Sequence, residues 1–299
     1  MTPSPLDQLP TELSNPRTLS IDSLNTLQVL ELINDEDLLV APAVRAALPD
    51  LARAVELALE RWRRGGRIVL FGAGTSGRLA MLDAAELKPT FGVDPNRYVA
   101  RLAGGSQAFS IAAEGAEDDR EAGAAAAADL SPMDVAFGVA ASGRTPWVLG
   151  ALERARTNGA ARIGLACVPV PELTAYVEVS IEVDTGPEAI AGSTRMKAGT
   201  AQKLALNAFS SALMIRLGKV HGNLMVDVQA TNAKLRRRAV RLVREAARVD
   251  SHVAEQALRE SAWDVKLAIA LLRLGVSADA ARAHLTQADG HLRRLFDEK

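Results

Sequence analysis

Cysteine is nearly absent: the 299 residues hold one, Cys167, inside the apolar run ARIGLACV. A lone thiol cannot form an internal disulfide, so the composition suits a reducing compartment and gives this side chain a packing role. A surplus of charge is missing too. The 35 basic and 36 acidic residues leave a formal net charge of −1, which removes the general field that favours nucleic acid or anionic membranes. No stretch reaches the ~18 uninterrupted apolar residues of a membrane-spanning helix, and MTPSPLDQLPTELSNPRTLS has no apolar run after a basic start. These absences predict a soluble, cytoplasmic protein without nucleic-acid or membrane partners, which recognises its ligand through local chemistry.

Metal-ligand spacing is also lacking. Of the four histidines, His221, His252, His284 and His291, none pairs with another or with cysteine as ligands do, so no metal is expected. There is no G-x-S-x-G elbow and no suggested Cys–His pairing, which leaves acyl transfer through a nucleophile unsupported. The chain is nonetheless long enough for one sizeable α/β domain with an appendage, or two modest domains.

What is present falls into three zones: an N-terminal arm and helices over 1–64, a ligand-binding domain over 65–235 and a helical region over 236–299. Four prolines and no periodicity mark Met1 to Arg17 as an arm either without fixed structure or laid extended over a partner. Helical spacing then predicts helices over Asp22–Asn34 and Val40–Arg64, stopped by Gly65-Gly66. Five short β-branched runs follow at 67–74, 98–105, 134–143, 161–168 and 177–186, separated by helix-length segments. That alternation predicts βαβ units and a mostly parallel sheet covered on both faces, with ligands beyond the C-terminal strand ends. Met196–Leu217 and 234–249 read as helices, the arginines of the latter as a solvated face. Two or three short helices are expected after Asp250, broken at Gly275 and Gly290.

The first strand runs into Gly72-Ala-Gly74-Thr-Ser-Gly77, a match to the dinucleotide-binding turn. That fold also needs an acidic residue ending the second strand to hold the ribose, and YVARLAGG has none. The turn therefore reads as an anion site without a nucleotide: Gly74, Thr75 and Ser76 stand where a helix begins, and its free N–H groups favour a phosphate. ASGRT, with Ser142, Gly143 and Thr145, repeats this arrangement after the third strand. GPEAIAGSTRMKAGTAQK adds Ser193, Thr194, Arg195, Lys197 and Thr200 after the fifth. Three hydroxyl-rich turns on one sheet edge suit a sugar phosphate, with no cofactor required.

Carboxylates remain for the chemistry. Glu86, in LDAAELKP, is expected at the end of the helix after the first turn or in the following turn; Glu114, Glu117, Asp118 and Asp119 cluster after the second strand. Enolisation of an aldehyde sugar needs a positioned base, often Glu, and isomerisation, epimerisation and β-elimination all begin with that proton. Spacing does not select among these acids.

The chain resembles the N-acetylmuramic acid 6-phosphate etherases, a sugar-isomerase (SIS) family related to the glucokinase regulatory protein. TELSNP (11–16), NDEDLLV (34–40), GAGTSGRL (72–79), DAAELKPTFGV (83–93), EGAED (114–118), AASGRTP (140–146), GPEAIAGSTRMKAGTAQK (186–203) and NLMVDVQATNAKL (223–235) carry the likeness. It departs from the family at Ala85, Leu87 and Lys88, where Ser, Cys and Pro are usual, and at His221, where an aromatic is common. The resemblance implies an SIS-type three-layer α/β sandwich with a five-stranded, mostly parallel sheet, N-terminal helices and a small C-terminal helical bundle. It also implies a homodimer and removal of a D-lactyl ether by elimination and water addition. The family's acid/base Glu falls on Glu86 and its second functional Glu on Glu117. Gly74, Thr75, Ser76, Ser142, Gly143, Thr145, Ser193 and Lys197 are then the candidate substrate contacts. A sugar-phosphate-sensing regulator without turnover and an aldose–ketose isomerase are the rival readings.

Overall fold

A computed structural model of the chain describes residues 9–111 and 113–296. The chain divides into two compact units, one comprising 1–85 and 96–210, the other 86–95 and 211–299.

In the first unit, helix α1 (Thr26–Asp37) starts at a capping box: the Asn25 side chain accepts from the Gln28 N–H, and the Gln28 side chain accepts from the Asn25 N–H. That cap sets the start four residues later than periodicity predicts, and Ile21–Ser23 forms a separate 3-10 turn. The single helix predicted over Val40–Arg64 is two, α2 (Val40–Ala46) and α3 (Leu48–Arg63). Pro49 is the cause. It has no N–H to donate and fits only the first turn of a helix, so the chain breaks at Ala47 ahead of it.

Five strands follow: β1 (Ile68–Gly72), β2 (Tyr98–Leu102), β3 (Val135–Val139), β4 (Ala161–Ala166) and β5 (Val179–Glu182). They form one sheet in the order β2-β1-β3-β4-β5 with every neighbouring pair parallel. β1 and β3 are buried along their whole length, as expected of central strands covered on both faces. Alternation sorts their side chains. Val69, Phe71, Ala136 and Ala140 pack under α5 (Arg120–Ala126) and α6 (Pro146–Thr157), where the Phe71 and Trp147 rings lie 6.0 Å apart. The opposite face carries α3 over β4 and β5, together with α4 (Gly74–Phe91) and α7 (Lys197–Arg216); Phe137 meets Phe209 of α7 edge-on at 4.9 Å. Burying these aliphatic and aromatic side chains contributes roughly 1.5–3 kcal/mol each.

Asp83 of α4 ties the last layer together: its carboxylate accepts from Tyr98 Oη and Ser210 Oγ, both at 2.9 Å. Burial raises the Asp83 pKa to about 6, against the opposing pull of those two hydrogen bonds.

The second unit contains the hairpin β6 (Val220–His221) and β7 (Leu224–Met225), then α8 (Ala233–Ala247), α9 (Ser251–Glu260), α10 (Val265–Leu274), α11 (Ala278–Gln287) and α12 (Leu292–Leu295). Val226, Leu242, Val243, Leu258, Leu267 and Leu271 make its core. Arg236, Arg237, Arg241 and Arg244 of α8 face solvent. The tail after Asp250 thus has four helices among the described residues instead of two or three, because Ala262 and Trp263 take left-handed conformations and open a break that their residue types do not announce. No helix among the described residues is long and apolar enough to cross a membrane.

Candidate functional site

The chain leaves β1 toward β2 on one side and returns to form β3 on the other, so the switch point of the sheet lies between β1 and β3. Loops diverge there, and the crevice they leave is where ligands bind in open parallel sheets. Gly72 pairs with Val139 across it, which sets the turns bearing Thr75–Ser76 and Ser142–Thr145 side by side.

The turn after β1 is shaped by two glycines in contact. A methyl on Gly77 would stand 2.5 Å from the Gly72 carbonyl oxygen, and one on Gly72 would stand 2.7 Å from the Gly77 Cα, so both positions exclude any side chain. This approach brings α4 onto the strand end with Gly74 at φ +51°. The N–H groups of Gly74, Thr75 and Ser76 precede the first possible intrahelical bond and make none elsewhere among the described residues. The hydroxyls of Thr75 and Ser76 also have no hydrogen-bond partner there. This turn can therefore receive an anion.

The turn after β3 differs. Pro146 has no N–H, the Trp147 N–H donates to the Glu117 carbonyl at 2.9 Å, and the Val148 N–H donates to the Thr145 carbonyl. Few donors remain at the start of α6, and what the turn offers is its hydroxyls. Ser142 Oγ accepts from the Arg144 N–H at 3.3 Å and keeps its own proton to donate, while the Thr145 hydroxyl makes no cap bond. Gly143 sits at φ +66°, and a methyl there would come 2.2 Å from Pro171 Cβ.

The Trp147–Glu117 bond does a second job. It fixes the segment after β2 against the β3 turn, and Glu117 then lines a cavity of about 230 Å³ with Gly74, Arg78 and Glu114. Arg78 secures the far wall by donating to the carbonyls of Ala108 and Phe109. One of the two carboxylates implied by the resemblance thus stands beside the anion-ready turn. Glu114 shares the cavity, so geometry does not separate the two acids.

Glu86 is placed otherwise. α4 continues through Pro89 to Phe91, so Glu86 lies within the helix, exposed, five residues before its end. It stands ten residues beyond Ser76, about 15 Å along the helix axis.

The loop between β5 and α7 is held from beneath. Lys197 is 1% exposed, and its ammonium lies 2.6 Å from Glu36 Oε2; Glu36 Oε1 meets Arg17 at 2.7 Å. Burial alone would raise the Glu36 pKa, but hydrogen bonds from Lys197 and Asn15 and the charges of Lys197 and Arg17 hold it below the usual value. Glu188, fully buried, accepts the N–H groups of Lys197 and Ala198 at 2.8 and 3.0 Å and so caps α7; its pKa is raised by that burial. The described part of the N-terminal arm clasps this loop of its own chain: the Gly192 N–H donates to the Thr11 carbonyl, and the Asn15 amide to the Pro187 carbonyl. Residues 1–8 of the arm lie outside the described residues. The Lys197 charge is thus engaged with Glu36, whereas Ser193 is half-buried and its hydroxyl makes no hydrogen bond among the described residues. Glu36 and Glu188 were not singled out from sequence. Glu36 is 161 residues from its partner, and Glu188 lies outside the spacing of a local cap. Cys167 is wholly buried, its thiol donating to the Ala198 carbonyl, with its pKa raised by burial and then by Glu188.

A parallel sheet in this order, with anion-ready and hydroxyl-bearing turns at its switch point, defines a sugar-isomerase-type domain. Residues 50–156 match the model of the glucokinase regulatory protein N-terminal SIS domain, and residues 222–289 match that protein's C-terminal lid domain. Among solved structures, an Escherichia coli CFT073 protein in complex with A5P matches with TM-score 0.50 and 18% identity, covering 67% of this chain and 97% of its own. Phosphoheptose isomerase from Neisseria gonorrhoeae matches with TM-score 0.50 and 19% identity, over 63% of this chain and 98% of its own. These two likenesses speak to the fold.

The particular family follows from closer relatives. N-acetylmuramic acid 6-phosphate etherase of Halalkalibacterium halodurans is 47% identical over 98% of this chain and 99% of its own. Its counterpart in Deinococcus radiodurans is 50% identical over 96% and 95%, and that of Mycolicibacterium smegmatis 49% over 96% and 97%. The chain belongs to the N-acetylmuramic acid 6-phosphate etherase family.

Proposed function

We infer that this protein cleaves the D-lactyl ether at C3 of ring-opened N-acetylmuramic acid 6-phosphate. A base removes the C2 proton, the C3–O bond breaks and lactate leaves. Water then adds at C3 of the unsaturated aldehyde while a proton returns to C2, giving N-acetylglucosamine 6-phosphate and D-lactate. The observation that carries this reading is the β1 turn, with its unspent N–H groups and hydroxyls, beside a carboxylate-lined cavity in a chain of this family.

The phosphate sits on the N–H groups of Gly74, Thr75 and Ser76 and on the hydroxyls of the latter two, where the start of α4 favours negative charge. Ser142, Gly143 and Thr145 face the sugar hydroxyls from the β3 turn, and Ser193 does so from the loop before α7. Lys197 serves that loop through its ion pair with Glu36. Glu86 and Glu117 share the proton transfers, and fixed donors around the crevice stabilise the enolate-like intermediate.

The position of Glu86 along α4 supports supply of this acid to the crevice by a second copy in a homodimer. Leu27 and Leu30 of α1, Leu82 of α4 and Leu204 of α7 are exposed apolar residues of the first unit that such a pairing would cover. The setting is cytoplasmic recycling of cell-wall amino sugars. Incubation with N-acetylmuramic acid 6-phosphate should release D-lactate, and a folded Glu86→Gln variant should not. Full lactate release by that variant overturns the role of Glu86. A regulator or an isomerase would release none even from the wild type.

A further inference from the structure

Gln202 of α7 is fully buried, and neither its amide nitrogen nor its amide oxygen has a hydrogen-bond partner among the described residues. Arg61 and Arg162, by contrast, each leave only Nε unmet and bond through another guanidinium nitrogen. Native folds rarely keep a buried carboxamide wholly unpaired, so such a group asks what completes it.

Its neighbours on the helix locate it. Ala198, one turn earlier, accepts a hydrogen bond from the Cys167 thiol just past the end of β4. Gly199 packs beside the β1 turn, a methyl there standing 3.5 Å from Thr75 Cγ2. Phe209, two turns later, meets Phe137 in the middle of β3. At 100° per residue Gln202 falls between the directions of Ala198 and Leu206, on the face turned to the sheet. Phe209 to Gln202 is about 10 Å along the helix, the same distance as Phe137 to Ala140 along β3. The amide therefore lies under the strand ends at the switch point, behind the turn that bears the solvent-accessible hydroxyls of Thr75 and Ser76.

We propose that Gln202 is a positioning residue for the anion-binding turn: its carboxamide gains its hydrogen bonds when a sugar phosphate reorients the Ala73–Ser76 turn, which already packs against Gly199 of α7. This rests on the reading of that turn as the phosphate site. The ligand-free protein carries an unmet pair of polar atoms, and seating the ligand relieves it. Part of the ligand's binding is thus expressed through a side chain that has no accessible surface in the free protein.

The test is Gln202→Met, with Gln202→Leu as a second variant of similar volume. Without ligand both variants should melt about 2 °C or more above the wild type, since an apolar side chain needs no partner there. Stabilisation by inorganic phosphate and by N-acetylglucosamine 6-phosphate should fall sharply. KM for the etherase substrate should rise about tenfold with kcat within twofold, the mark of lost binding rather than lost chemistry. A lower melting temperature in both variants means that Gln202 is already bonded in the free protein, through buried water, and overturns the proposal. So does unchanged KM with intact phosphate stabilisation. Failure of the etherase reading shows differently: wild-type protein releases no lactate, while the melting and phosphate measurements still report on Gln202.

Discussion

Ten residues of unbroken helix separate Ser76 from Glu86, about 15 Å at 1.5 Å per residue. An extended hexose phosphate places its C2 about 7 Å from phosphorus, given C–C bonds near 1.5 Å, and a Glu side chain reaches about 4 Å further. With about 4 Å from the turn to phosphorus and a contact of about 3 Å added, the total is comparable to the helix span; direction separates the two, because α4 leads back from the strand ends whereas the crevice lies beyond them. A ligand seated on Thr75 and Ser76 beyond the strand ends therefore extends away from Glu86 of the same chain, and a second copy is expected to supply that acid. Glu86→Gln and Glu117→Gln should each lose about 10²–10⁴-fold in activity, the usual contribution of a positioned acid or base. Mixed after subunit exchange, the two inactive proteins should regain activity. A mixed dimer has one crevice with wild-type Glu117 that receives wild-type Glu86 from the neighbour, and one crevice doubly impaired. Random assortment makes half the dimers mixed, each with one working site of two, so lactate release should recover to about a quarter of wild type in a closed two-fold assembly. The assay is D-lactate formation before and after co-refolding equal amounts. A mixture no more active than its parents, with exchange verified by differently tagged chains, refutes supply of Glu86 by the second copy.

Two further outcomes follow from the buried charges. The Asp83 pKa of about 6 in the folded protein exceeds the ordinary 3.8, so the folded state holds the extra proton between those values. Stability from this group is complete below about pH 4 and is lost as pH rises through 6, by roughly 3 kcal/mol; urea unfolding from pH 4 to 7 should show that slope and Asp83→Asn should flatten it. Lys197→Met leaves the buried Glu36 carboxylate with the half-exposed Arg17 as its counter-charge, and should cost about 3–5 kcal/mol. Adding Glu36→Leu should recover more than half of that loss in thermal melts, since an apolar pair needs no counter-charge.

The sheet was readable because each strand is a short apolar run closed by a turn, and a buried parallel strand demands that composition. Pro49 misled for a local reason: it is tolerated in the first turn of a helix, and periodicity alone does not distinguish that from a helix passing through. The three hydroxyl-bearing turns were visible as residue types at strand ends, and the missing acid at the end of the second strand spoke against a nucleotide. What could not be read was how each group is spent. That Trp147 gives its N–H to Glu117, or that Lys197 meets Glu36, depends on contacts across 30 and 161 residues. Lys197 and Ser193 look alike as polar letters in one motif, and only packing engages the first with a buried acid. Resemblance alone separates Glu117 from Glu114, and the cavity holds both.

The clasp between the N-terminal arm and the loop before α7 also has a meaning in time. Thr11, Asn15 and Arg17 leave the ribosome well ahead of their partners: the segments they bind at 187–192 and the Lys197 that completes the Glu36 pair are made some 180 residues afterwards. At about 5–20 residues per second the arm waits roughly 10–40 s without its native partners. The loop before α7 is consequently among the last parts of the first unit able to take shape, and its closure reports that synthesis has passed the start of α7.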